Sequence, residues 1–220
     1  MNGENGFVGM DPALAKSNID DFKRAMLDVE DNFDSAVNTL FEELSYAWVS
    51  PNAVEFYTKY SEECYSLKKI MIESELAICQ GAWRAYNTMA NALGCATISE
   101  DYGYDANKSV SSGWLSISML HDNKGGKSGM NVNLVKNFIL PAFDIGVKRI
   151  EDSLTAVPTS IALYDAEGEQ SGAYATGISN MKSKVENLLN DIKNSILNAI
   201  ETETDNMLLA KQQSANAMNG

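Results

Sequence analysis

From Ile19 onward the apolar residues recur at steps of three and four: Ile19, Phe22, Met26, Val29, Phe33, Val37, Leu40 and Leu44. That spacing lines eight large side chains along one face of an α-helix, and no strand period of two can reproduce it. Sustained over more than three heptads, it is a seam of the coiled-coil type. Acidic residues (Asp20, Asp21, Asp28, Glu30, Asp31) fill the remaining faces. Asp11 followed by Pro12 reads as an N-cap with proline at the first helical position, so the helix is predicted to begin there. A stripe this long must be covered, because apolar surface left in water costs about 25 cal/mol per Å².

The seam halts at Tyr46-Ala47-Trp48-Val49-Ser50-Pro51-Asn52. Ser50 and Pro51 repeat the cap signature, so a second helix is expected from about Asn52 to Leu93, antiparallel to the first across a tight turn. Its candidate core is Phe56, Tyr60, Leu67, Ile70, Ile78 and Met89. Ile72, Leu76 and Trp83 lie off that stripe, which implies contact with more than one neighbour. Gly94 provides a natural stop.

Periodicity dissolves between Cys95 and Met130, where five glycines break the pattern. Within this connection, Gly113 to Leu120 alternates and suits a short strand or a docked irregular segment, with Trp114 as its tie to the helices. A third helical pattern follows: Leu134, Phe138, Ile139, Phe143, Val147, Ile150, Leu154 and Val157. Pro141 predicts a kink or helix start, and Pro158 a stop. Ile178, Met181, Val185, Leu188, Ile192 and Ile196 mark a fourth segment running toward Leu208, with Gln212 to Gly220 expected to fray.

The halves read alike: long helix, tight polar turn, long helix, twice. Trp48 with Ser50 stands at the first tip, and Tyr164-Asp165 with Ala166 at the second. The predicted fold is all-α: two long antiparallel hairpins forming an elongated four-helix bundle, within one chain or between two. The corresponding divisions are a hairpin over 1–94, an irregular connection over 95–130 and a second hairpin over 131–220.

A formal charge of −13 disfavours nucleic acid and anionic membrane surfaces as partners. No stretch approaches the roughly 20 apolar residues of a membrane span. Residues 1–10 have neither the basic cluster nor the apolar run of a cleaved secretion signal. The expectation is a cytoplasmic protein, or one exported without signal cleavage. Cys64, Cys79 and Cys95 fit neither a disulfide framework nor a zinc site.

Trp48-Val49-Ser50, set in a turn between two long helices, resembles the WXG-motif family of small proteins exported by type VII secretion. Leu44-Ser45 before it, and Ser50-Pro51-Asn52-Ala53 and Phe56 after it, extend the likeness over roughly residues 11–93. Those proteins are helical hairpins that pair as homo- or heterodimers. Here Ser50 replaces the family's glycine, and the chain is about twice the usual length, as in a fused tandem or a relative of LXG-type targeting domains. The family's Tyr-x-x-x-Asp/Glu export element is absent: Tyr60, Tyr102 and Tyr174 are followed by Cys64, Ala106 and Ile178. Leu197, Glu201 and Leu208 fit the looser helical export pattern of some relatives, with Thr204 in a hydrophobic slot. Read without the family, Trp48 fills the gap where two helices diverge and Ser50 caps the second. The resemblance adds recognition of the tryptophan's exposed edge by an export machine.

Lys124-Gly125-Gly126-Lys127-Ser128 resembles a phosphate loop, but His121 stands where the first glycine is needed. His121 is the only histidine and no nucleophile accompanies it. Carboxylates at Glu62-Glu63, Asp101, Asp105, Asp165-Glu167-Glu169 and Glu201-Glu203-Asp205 lack calcium-ligand spacing and suit solvated faces. No catalytic, cofactor or metal site is predicted. The expected function is a non-enzymatic, secretion-associated helical protein with protein partners. A structural or pore-associated protein acting through Gly113–Leu120 is the alternative.

Overall fold

A computed structural model of the chain describes residues 11–98, 128–163 and 169–219. The second tip (Tyr164, Asp165), the 113–120 segment and His121 lie outside the described residues. The described chain is mostly helical, as an all-α protein requires.

Helix α1 spans Pro12–Ala47. The Asp11 carboxylate accepts from the amides of Ala13 (2.9 Å) and Leu14 (3.0 Å), satisfying donors that have no partner inside the helix. All eight seam residues are buried. Helix α2 spans Pro51–Leu93. It ends in a double backbone bond: Gly94 donates to Asn91 and Cys95 to Ala90 (2.8 Å). Gly94 sits at φ +69°, the left-handed conformation this terminus needs.

The buried line of α2 differs from the predicted one. Phe56, Tyr60 and Leu67 are buried, but Ile70, Ile78 and Met89 are half-buried flanks. The deepest positions are Tyr57, Cys64, Leu67, Met71, Glu75, Ala82 and Ala90. Polar and small residues hold the line, so hydrophobicity alone misplaced it. Ile72 and Trp83 are also buried, in keeping with a helix covered on more than one side.

Strand β1 (Trp48–Val49) pairs antiparallel with β2 (Gly129–Met130). The Asn131 side chain then caps α3 (Val132–Leu134), accepting from the Leu134 amide at 3.1 Å. A π-helical stretch, Val135–Ile139, leads into α4 (Leu140–Ala156). Pro141 is the second residue of α4, so the expected start falls beside it, although the π-helical stretch keeps the helical run continuous. The wider turn before it relieves the clash its ring makes with the preceding turn of an α-helix. That turn also shifts the phase: Val135 and Ile139 are buried, while Phe138, expected in the seam, is 67% exposed.

Helix α5 spans Glu169–Asn219. Leu189 rather than Leu188 lies on its buried line, which continues through Ile200 and Thr204. The tail expected to fray is helical to Asn219, where Leu, Ala, Lys, Gln and Met favour helix.

Two compact units partition the described residues: one within 1–31, 68–109 and 151–186, the other within 32–67, 110–150 and 187–220. The partition cuts across the helices, and each unit takes a segment of α1, α2 and α5. In the first unit, Asn18 donates to the Ala162 carbonyl (2.8 Å), Tyr174 to that of Gly81 (3.0 Å), and Lys182 to those of Thr155 and Val157. In the second, the Tyr60 hydroxyl bonds the Ser195 carbonyl (3.0 Å), and Lys136 pairs with Asp205 (3.0 Å) and Lys193 with Asp144. Gly146 allows α4 to pass close to α1: a Cβ there would lie 2.8 Å from that of Ala36.

Candidate functional site

The turn after α1 is built from three residues of different chemistry. Trp48 and Val49 are extended, and Ser50 opens α2. The Ser50 hydroxyl oxygen accepts from the Ala53 amide at 3.1 Å, which caps α2, and from the Trp48 indole N–H at 2.9 Å. One oxygen thus satisfies two donors. A glycine at position 50 supplies neither bond, which gives the serine a physical role of its own.

Trp48 is 3% exposed. Its ring lies 5.2 Å from Phe56 and 6.3 Å from Tyr57, centroid to centroid. Phe56 stacks at a tilt on Tyr60 (4.6 Å), and Phe41 meets Tyr57 edge-on at 5.9 Å. Phe56 and Tyr60, four apart, share one face of α2, while Tyr57 is turned toward Phe41, and such clusters add to simple area burial. The Tyr57 hydroxyl is buried with no hydrogen-bond partner among the described residues. Burial raises its pKa well above the ordinary tyrosine value and keeps it protonated.

The far end of the connection covers the turn. Trp48 stands opposite Met130 and Val49 opposite Gly129. The Asn131 amide donates to the Ala47 carbonyl at 2.7 Å, and the Ser128 hydroxyl to the Val49 carbonyl at 3.0 Å. Directly opposed residues share a face of the ladder, so Met130 lies on the side of the tryptophan ring. This strand pair was not foreseen: two residues are too few for any alternation to register, and only Asn131 ahead of the returning periodicity marks the place. The tryptophan edge, expected to be open for recognition, is buried.

The remaining predicted site residues lie on α5. Leu197 is half-buried, Glu201 and Leu208 are exposed, and Thr204 fills the buried slot, its hydroxyl donating to the Glu201 carbonyl at 2.7 Å. The same stretch reaches the start of α2, where Asn52 donates to Glu203 at 3.1 Å. The tip motif and the α5 pattern therefore belong to one compact unit. Sequence spacing gave no sign of this.

Elsewhere, the chemistry is quiet. Cys64 and Cys79 are free and buried, and burial pushes both thiols up to about 12, so neither is a nucleophile near neutrality. A cleft of about 300 Å³ between α1 and α4 is lined by Asn32, Ser35, Thr39, Ile145 and Arg149. Among the described residues, no three His, Cys, Asp or Glu side chains gather as a metal set, and no helix is long and apolar enough to cross a membrane. No protein-family model, curated protein or solved structure matches the chain.

Proposed function

We propose that this chain is a non-enzymatic helical protein of a bacterial type VII secretion system, acting as an exported substrate or as a partner that presents one. In this reading its two helix pairs close as a four-helix bundle, within one chain or with a second copy. It is cytoplasmic before export and leaves without signal cleavage. The observation that carries the proposal is the Trp48-Val49-Ser50 turn joining helices of 36 and 43 residues. Its tryptophan packs on the first aromatic residues of the following helix, as a WXG-type hairpin would need. The grouping of this turn with the 197–208 stretch of α5 adds support, since the two elements an export machine would read then share a unit.

Secretion is the direct test. The tagged chain, expressed in a Gram-positive host with an intact type VII system, is expected in the medium and expected to remain inside when the secretion ATPase is deleted. Equal retention in both strains, or equal release, removes the proposal. Light scattering on the purified chain separates the two bundle forms by giving the mass of one chain or two.

A further inference from the structure

We infer that residues 128–131 are a releasable strap over the Trp48 turn, and that a protein partner reads this turn by displacing the strap. The inference deepens the secretion reading and rests on it for the identity of the partner. Its physical basis is independent. The strap is held by a ladder of only two residues, flanked by the Asn131–Ala47 and Ser128–Val49 bonds. Ser128 is exposed and Gly129 and Met130 are half-buried, so it contributes little to the core. What it pairs with is different in kind: Trp48, opposite Met130 in the ladder, is 3% exposed and packs on Phe56 and Tyr57. A weakly held cover over a large aromatic opens far more often than the helices melt, since local opening follows the number of buried contacts broken.

The strap bonds the backbone of Ala47, Trp48 and Val49, through the Asn131 amide, the two-residue ladder and the Ser128 hydroxyl. An extended segment of another protein could make the same bonds, by strand addition to the edge that the strap occupies. Lifting the strap frees this edge and uncovers the ring together, so one displacement exposes both shape and hydrogen-bonding groups.

Two substitutions loosen the strap without touching the turn. Ser128→Ala removes one bond. Asn131→Pro removes the Asn131 N–H, at a φ of −83° that proline tolerates. It also removes the α3 cap, so Asn131→Ala, which loses the cap and keeps the N–H, is the control. Hydroxyl-radical footprinting read at Trp48 by mass spectrometry is expected to rise about fivefold for each hydrogen bond removed. Hydrogen exchange across residues 19–44 and the melting temperature should stay at wild-type values. Unchanged labelling of Trp48 in the double variant, or a rise matched by Asn131→Ala, overturns the strap. So does loosening that spreads through α1, because the segment is then part of the core. In the secreting host, the double variant should be released faster than wild type. Equal release despite a labelled Trp48 overturns the gating role. Release of neither protein sinks the secretion reading, while the footprint still decides the strap.

Discussion

The two compact units bury different mixtures of side chains along the same helix. In the second, α2 presents Phe56, Tyr57 and Tyr60 to a core that also holds Phe41 and Trp48. In the first, the same helix presents Glu75, Cys79, Ala82 and Ala90, and Glu30 of α1 and Lys68 are buried as well. The second unit gathers its rings beside the turn; the first mixes rings (Phe22, Trp83 and Tyr86) with small side chains and with buried Glu30, Lys68 and Glu75. A single helix thus carries two packing regimes. The comparison predicts opposite sensitivities: the aromatic unit should fail when trimmed, and the small-residue unit when enlarged.

The largest effect is expected from Trp48→Ala, which removes a buried ring packed on both Phe56 and Tyr57 and should cost about 3–5 kcal/mol in urea unfolding. A loss below about 1 kcal/mol would show that the rings pack loosely and dissolve the contrast. Next, Ala90→Leu should cost about 1–3 kcal/mol by overpacking, with hydrogen exchange rising first in the first unit. If it is neutral, that unit has room to spare. Ser50→Ala should cost about 1–3 kcal/mol, because it removes a cap and leaves the buried indole N–H unpaired.

The thiols separate the units less sharply, since each unit holds one buried cysteine. Their folded pKa values stand near 12, above the ordinary value of 9.0. The protonated form is favoured on folding, so this contribution is complete below pH 9 and is lost as pH climbs toward 12. Stability measured across that window should fall. At pH 8 a thiol reagent should modify half-buried Cys95 and spare Cys64 and Cys79 until the chain unfolds. The smallest effect is Tyr57→Phe. It removes a hydroxyl with no partner and should leave stability unchanged or raise it by up to about 1 kcal/mol.

These regimes also explain what the sequence made legible. The α1 seam could be read residue by residue because large aliphatic and aromatic side chains occupy every step. In α2 the inward line passes through Cys64, Glu75, Ala82 and Ala90, none of which announces burial, and more hydrophobic neighbours at Ile70, Ile78 and Met89 drew the prediction one face aside. Phe138 was misplaced because a wide turn changes the helical period locally. At the candidate site, Trp48, Ser50 and Pro51 marked the turn through cap chemistry alone. The shared serine hydroxyl follows from the same residues once geometry is known. The paired segment did not: its partners are almost eighty residues away, and apart from the Ser128 hydroxyl its bonds run through the backbone, which carries no side-chain signature.

The π turn at Val135–Ile139 has one more consequence. It lies between the strap and α4. One widened revolution there takes up an extra residue, so removing a single residue would shorten the run by about 1.5 Å rather than turn the flanking segments. A one-residue surplus in a helix thereby acts as slack between a short strand and the long helix that follows it.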